Sequence, residues 1–222
     1  MLKLIVKDLY INRAQLLTPL AIVFAIYAAG LVFRDQVVAG YAMTFLGTYA
    51  VLVTPMFALA SLQTEEKNRT LGFLCTMPIS PGEIVASKFL ATLVLAGVTA
   101  TLFTALARLG PSLMPMEAVR ETWGNPSYFL LIALTLPVAA AALIAFFKSG
   151  VSAARTVVMV GVAVFAFGSM MLSRQLGVHG NLIAGMFDPG PGPTAAVLVV
   201  ALCLYTLGYL VAKKVFENRE LS

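Results

Sequence analysis

Long apolar runs separated by short polar breaks set the pattern of this chain. Six runs, roughly Leu16 to Phe33, Val37 to Leu62, Ile84 to Leu106, Tyr128 to Phe147, Ala154 to Leu172 and Thr194 to Ala212, approach or exceed the length that a helix needs to cross a bilayer. A hydrocarbon core of about 30 Å takes about 20 helical residues. The runs mix Ala, Gly, Leu, Val and Phe without the two-residue alternation of barrel strands, so they predict helices. The expected fold is all-α, a single polytopic membrane domain over residues 1–222 with six transmembrane helices. Pro19 suits the opening of the first span better than its interior. The second run is long enough to tilt or to project from the membrane.

Composition agrees with this pattern. With 60% hydrophobic and 11% charged residues, a water-soluble fold would lack the polar groups to cover its surface. The start, MLKLIVKDLYINRAQ, interleaves charge with apolar residues and does not read as a removable leader. Cys75 and Cys203 lie in different segments and give neither a disulfide framework nor a metal-ligand spacing. No room is left for a soluble domain, so ATP, if used, must be held by another chain.

Charge then orients the spans. Six helices put both termini, the break after the second span and the break near Lys148 on one side. Of the fifteen basic residues, only Arg34, Arg108, Arg120 and Arg174 fall on the other side, where Asp35, Glu117, Glu121 and Asp188 balance them. The positive-inside rule places the basic side in the cytoplasm. The net charge of +5 is explained by topology and gives no support to nucleic-acid binding.

The polar breaks hold the distinctive chemistry. At the N-terminus, Leu2, Ile5, Val6 and Leu9 recur at helical spacing with Lys3, Lys7 and Asp8 across from them, predicting an interfacial helix, with an extended basic leader as the plainer alternative. Between Gln63 and Lys88, Glu65, Glu66, Lys67 and Arg69 precede Leu71, Phe73, Leu74 and Met77. These residues fit a short amphipathic docking helix or a solvated loop with one amphipathic turn. Pro78 stops any helix there, and Ser80, Pro81 and Glu83 form a capping-box signature for the next one.

On the outer side, Pro115 to Trp123 reads as a short surface helix, with Trp123 suited to the headgroup layer. The Gly- and Pro-rich stretch from Ser173 to Pro193 reads either as re-entrant structure over an exit or as a passive loop, with Gly185 and Pro189 as candidate gate positions. Pro55 and Pro137 interrupt the second and fourth spans and are candidate hinges, although packing alone also accounts for them. Ala21, Ala25 and Ala29 form one small-residue stripe, and Gly97, Thr101 and Ala105 another, both suited to close helix contact. No acidic residue sits near the middle of a span, His179 has no spaced partner, and no phosphate loop or hydrolase motif occurs. An enzyme reading therefore has no residues to carry it.

The basic leader, the six spans and the segment containing Glu65, Lys67 and Leu71 followed by Met77, Pro78, Ile79, Ser80, Pro81, Glu83, Ile84, Val85, Ser87 and Lys88 resemble the membrane subunits of bacterial ATP-binding-cassette exporters. The type-two permease family is meant, and within it the phenol-soluble-modulin exporter permeases. The resemblance covers essentially the whole chain, but only the cytoplasmic segment is distinctive. It implies two permease copies with two separate ATPases, which would bind ATP and magnesium, in the bacterial cell membrane. It further implies a coupling helix around Glu66 to Met77, an N-terminal elbow helix and a re-entrant region at Ser173 to Pro193. The chain itself would hold no cofactor and no metal. A mostly apolar pathway would suit amphipathic peptides, lipids or hydrophobic small molecules. The alternative function is a membrane scaffold that docks a cytoplasmic partner through the same loop without transporting anything.

Overall fold

The computed structural model describes residues 36–68, 80–113, 128–175 and 191–220, together with Val6, Lys7, Tyr10, Ala21 and Ala25. These residues form five long helices: α1 (Gln36–Lys67), α2 (Pro81–Leu113), α3 (Tyr128–Ser149), α4 (Val151–Gln175) and α5 (Pro191–Glu220). Among the described residues there is no strand. Among the described residues, three stretches are long and apolar enough to cross a membrane, Pro81–Leu102, Ile132–Ser149 and Thr194–Asn218, and Val151–Val164 is a shorter apolar helix. Six spans were expected. Most of the first expected span lies outside the described residues, where only Ala21 and Ala25 are seen, both helical and exposed.

Helix α3 is the hub, packed against each of the other four. Its buried side chains Leu136, Leu143 and Phe147 meet Leu62 of α1, Ile84 and Phe89 of α2 and Val158 of α4 in one core. The outward faces are apolar as well: Phe167 is 69% exposed and Val164 66%, and Val199, Leu207 and Leu210 line the outside of α5. Such inside-and-outside apolarity belongs to helices surrounded by lipid, where apolar burial between helices gains little because the tails are equally apolar. Shape-matched packing must then hold the bundle together.

The helix ends are set locally. Ser80 caps α2 as its spacing predicts: its Oγ accepts a hydrogen bond from the Glu83 N–H at 3.3 Å, while Glu83 Oε2 accepts from the Ser80 N–H at 3.1 Å. Pro81 takes the first helical position, where its missing N–H removes nothing. The last helix begins earlier than expected, at Pro191 instead of Thr194. Pro191 and Pro193 both fall in its first turn, where backbone donors have no intrahelical acceptor in any case, so the two prolines start the helix instead of delaying it.

Between α3 and α4 the chain turns within one residue. Gly150 adopts φ of +89° and its N–H donates to the Phe146 carbonyl at 2.8 Å, closing α3 with a left-handed cap. A Cβ at this position would meet nothing closer than Glu66 Oε1 at 3.8 Å. Gly150→Ala is therefore expected to destabilise the protein by about 1–2 kcal/mol through backbone conformation alone. Thermal unfolding in detergent, compared with Ser149→Ala, measures it.

Candidate functional site

The ends of the helices gather the polar residues at one pole. α1, α3 and α5 finish there, and α2 and α4 begin there: Glu66 at the end of α1 approaches the Gly150 turn, the Lys213 stem of α5 lies over Gly82 of α2, and Phe147 of α3 stacks against Phe216 of α5 with ring centres 5.0 Å apart. Glu66, Lys67, Glu83, Lys148, Arg155 and Lys214 are exposed at this pole. Lys213 and Glu217 stand one turn apart, 3.9 Å and half-exposed, which contributes little to stability.

Beneath this surface lies a buried charge cluster. Glu65 is only 3% exposed, and its Oε1 lies 2.7 Å from Lys88 Nζ and 3.1 Å from Lys7 Nζ. Lys88 Nζ also donates to Ser61 Oγ at 3.3 Å. Three parts of the chain thus converge on one carboxylate: the N-terminal segment through Lys7, the last turn of α1 through Glu65 and the first turns of α2 through Lys88. The Lys88–Glu65 contact is nearly sealed, whereas the Lys7 side chain is 33% exposed. The first is consequently the pair whose breaking by loss of one partner costs more.

This placement corrects one expectation. Glu65 was grouped with Glu66, Lys67 and Arg69 in an amphipathic docking helix or solvated loop, but it points into the bundle while Glu66 and Lys67 face outward. The cause is helical register. α1 stays regular through Lys67, so Glu65 shares a face with the buried Ala58, Ser61 and Leu62 of the preceding turns. Lys88 follows the same rule on α2, where Ile84, Val85, Ala91, Thr92 and Leu95 are also buried.

Of the other expected docking residues, Arg69, Leu71, Phe73, Leu74, Met77 and Pro78 lie outside the described residues. The described chain leaves α1 at Asn68 and re-enters at Ser80, so both ends of that segment are fixed at the polar pole. Gly185 and Pro189 also lie outside the described residues. The two remaining hinge candidates are seen: Pro55 is buried in α1 and Pro137 half-buried in α3, at matching distances from the shared pole. Each removes one backbone donor from its helix. Beside Pro55, the fully buried Thr54 Oγ1 has no hydrogen-bond partner among the described residues.

Several other buried hydroxyls bond back to their own helices. Thr92 Oγ1 donates to the Lys88 carbonyl, Thr99 to Leu95 and Thr135 to Ile132, all within 2.9 Å. Tyr205 of α5 reaches across to α2, its hydroxyl donating to the Phe89 carbonyl at 2.9 Å while the two rings tilt together at 5.0 Å. These bonds hold helices in place and leave a core dominated by apolar groups.

Close helix contacts fall elsewhere than expected. Gly97, Thr101 and Ala105 are exposed, and a Cβ on Gly97 would touch nothing within 4 Å. The near approaches occur at two other glycines. A Cβ on Gly161 of α4 would come within 2.5 Å of Val138 Cγ1, and one on Gly208 of α5 within 2.9 Å of Ala140 Cβ, both on α3.

No protein matches the chain in the comparison with curated sequences. The family model described as ABC-2 family transporter protein matches residues 3–217, nearly the whole length. Its long apolar helices and that match together establish that this chain belongs to the ABC-2 transporter family, as a membrane-spanning permease component that is not itself catalytic.

Proposed function

We propose that the chain is the membrane subunit of an ATP-driven exporter and receives mechanical work at its polar pole. A separate ATP-binding-cassette ATPase, holding ATP and magnesium, docks on the segment from Glu66 to Pro78. Six spans cross the bacterial cell membrane with both termini in the cytoplasm, and two copies of the permease pair with two ATPases. The observation that carries this reading is the clustering at one pole of the exposed Glu66 and Lys67, the capped start of α2 and the Gly150 turn, around the two points where the docking segment joins the bundle. A load applied to such a segment reaches α1 and α2 directly, and from them α3, which touches every other helix.

The cargo fits the same chemistry. Thr92, Thr99 and Thr135, bonded to their own helices, and the apolar faces offer little to a sugar or an ion, whose desolvation would have to be offset by polar partners. An amphipathic peptide or another hydrophobic molecule needs fewer. Peptide export is the favoured form of this activity, and Pro55 and Pro137 mark the level at which the spans would bend.

The docking reading has a direct test. With Leu71→Asp and Leu74→Asp together, co-purification of the cognate ATPase is expected to fall at least tenfold, because two apolar anchors are replaced by charges that must be desolvated at a contact core. Retained binding would remove the coupling assignment. Retained binding by the parent chain without any effect on ATP turnover would favour the scaffold alternative.

A further inference from the structure

Glu65 and Lys88 sit at the two feet of the docking segment. One is in the last turn of α1 before Asn68; the other is two turns into α2 after Ser80. Their 2.7 Å contact therefore closes the chain into a loop at its base, and the 3.1 Å contact from Lys7 ties the N-terminal segment to the same carboxylate. Lys88 also grips Ser61, one helical turn back from Glu65, so its ammonium spans two turns of α1.

We propose that Glu65, Lys88 and Lys7 form a clamp that makes α1, α2 and the N-terminal segment move as one body when the docking segment is displaced. The three are positioning residues, which act through the helices they join. This rests on the reading of the chain as an ATP-driven permease.

A segment joined to two helices by single chain connections delivers its displacement to each independently, and any slack between the helices absorbs part of the stroke. A buried ion pair across the feet removes that slack. Burial matters here: a solvated pair exchanges readily with water and would yield under load, whereas Glu65 and Lys88 are 3% and 4% exposed. Farther along, Tyr205 bonded to the Phe89 carbonyl fastens α2 to α5 one residue beyond Lys88, so the clamped pair of helices carries α5 with it. The partly exposed Lys7 is the weakest of the three ties and contributes least.

The test follows motion far from the clamp. In the complex with its ATPase, with Cys75→Ser and Cys203→Ser as background, a spin label at Leu102→Cys reports the exposed face of α2 about 30 Å along the helix from Pro81. Magnesium ATP with orthovanadate is expected to trap nucleotide and to change the label's mobility. Replacing the pair together, Glu65→Met with Lys88→Met, keeps the volume and avoids leaving a lone buried charge. This variant is expected to trap nucleotide as the parent does while its label response falls at least fivefold. Exchanging the charges, Glu65→Lys with Lys88→Glu, is expected to recover at least half of it. A full response in the Met pair would overturn the clamp while leaving the transporter intact. Absence of nucleotide trapping in the parent complex would instead remove the transporter reading, and the clamp with it.

Discussion

Glu65→Ala is expected to destabilise the permease by about 3–5 kcal/mol, the cost of removing one partner of a buried ion pair. Lys88 is 4% exposed, and its contact with the Ser61 hydroxyl is to a neutral acceptor. The other two removals rank below it. Lys88→Ala leaves Glu65 with the partly exposed Lys7, so the loss is smaller, while Lys7→Ala removes a half-solvated contact worth about 1 kcal/mol or less. Glu65→Met with Lys88→Met is expected to lie near the parent, since an apolar pair of similar volume replaces an ion pair whose attraction is largely cancelled by desolvation. Thermal unfolding in one detergent orders the four variants. Equal losses for Glu65→Ala and Lys7→Ala would show that water reaches the whole cluster.

Much of the helical framework was legible because its signals are local. Run length and apolar composition located five helices whose starts lie within three residues of the expected spans while their ends run two to eight residues past them, and Ser80, Pro81 and Glu83 announced the start of α2 in their order alone. The buried cluster was harder to see. Within a charged stretch, Glu65 looks like Glu66, and only continuation of the α1 register from Ala58 and Leu62 distinguishes them. Lys88 carried the matching signal, a single cation on an otherwise buried face of α2, but pairing it with Glu65 and Lys7 required knowing that three separate segments meet. The same limit applies to the glycines. Gly97, Thr101 and Ala105 make a small-residue stripe at helical spacing yet face outward, while the close contacts are made by Gly161 and by Gly208, which shares a buried face with Ala201 and Ala212. Spacing reports which residues share a face; the neighbour that the face meets is decided by the whole bundle.

Gly208→Leu is expected to prevent stable packing of α5 on α3, and Gly208→Ala to weaken it by about 1–3 kcal/mol even though alanine favours a helix by roughly 1 kcal/mol over glycine. The reason is the partner atom. A new Cβ would stand 2.9 Å from Ala140 Cβ, which is fixed to its backbone and has no rotamer to escape into, so relief requires the helices to separate. Separation is costly because it also pulls Tyr205 from Phe89 and loosens Phe147 against Phe216 along the same helix. In lipid, hydrophobic burial does not compensate for lost van der Waals contact between helices. The prediction carries its own reversal: Gly208→Ala combined with Ala140→Gly moves the missing methyl to the other side of the seam and is expected to recover most of the loss. Double-mutant coupling of about 0.5–3 kcal/mol in thermal unfolding would establish direct contact. Additive losses would mean that α3 and α5 are not held together at this point, and the hub role of α3 would then rest on its other neighbours.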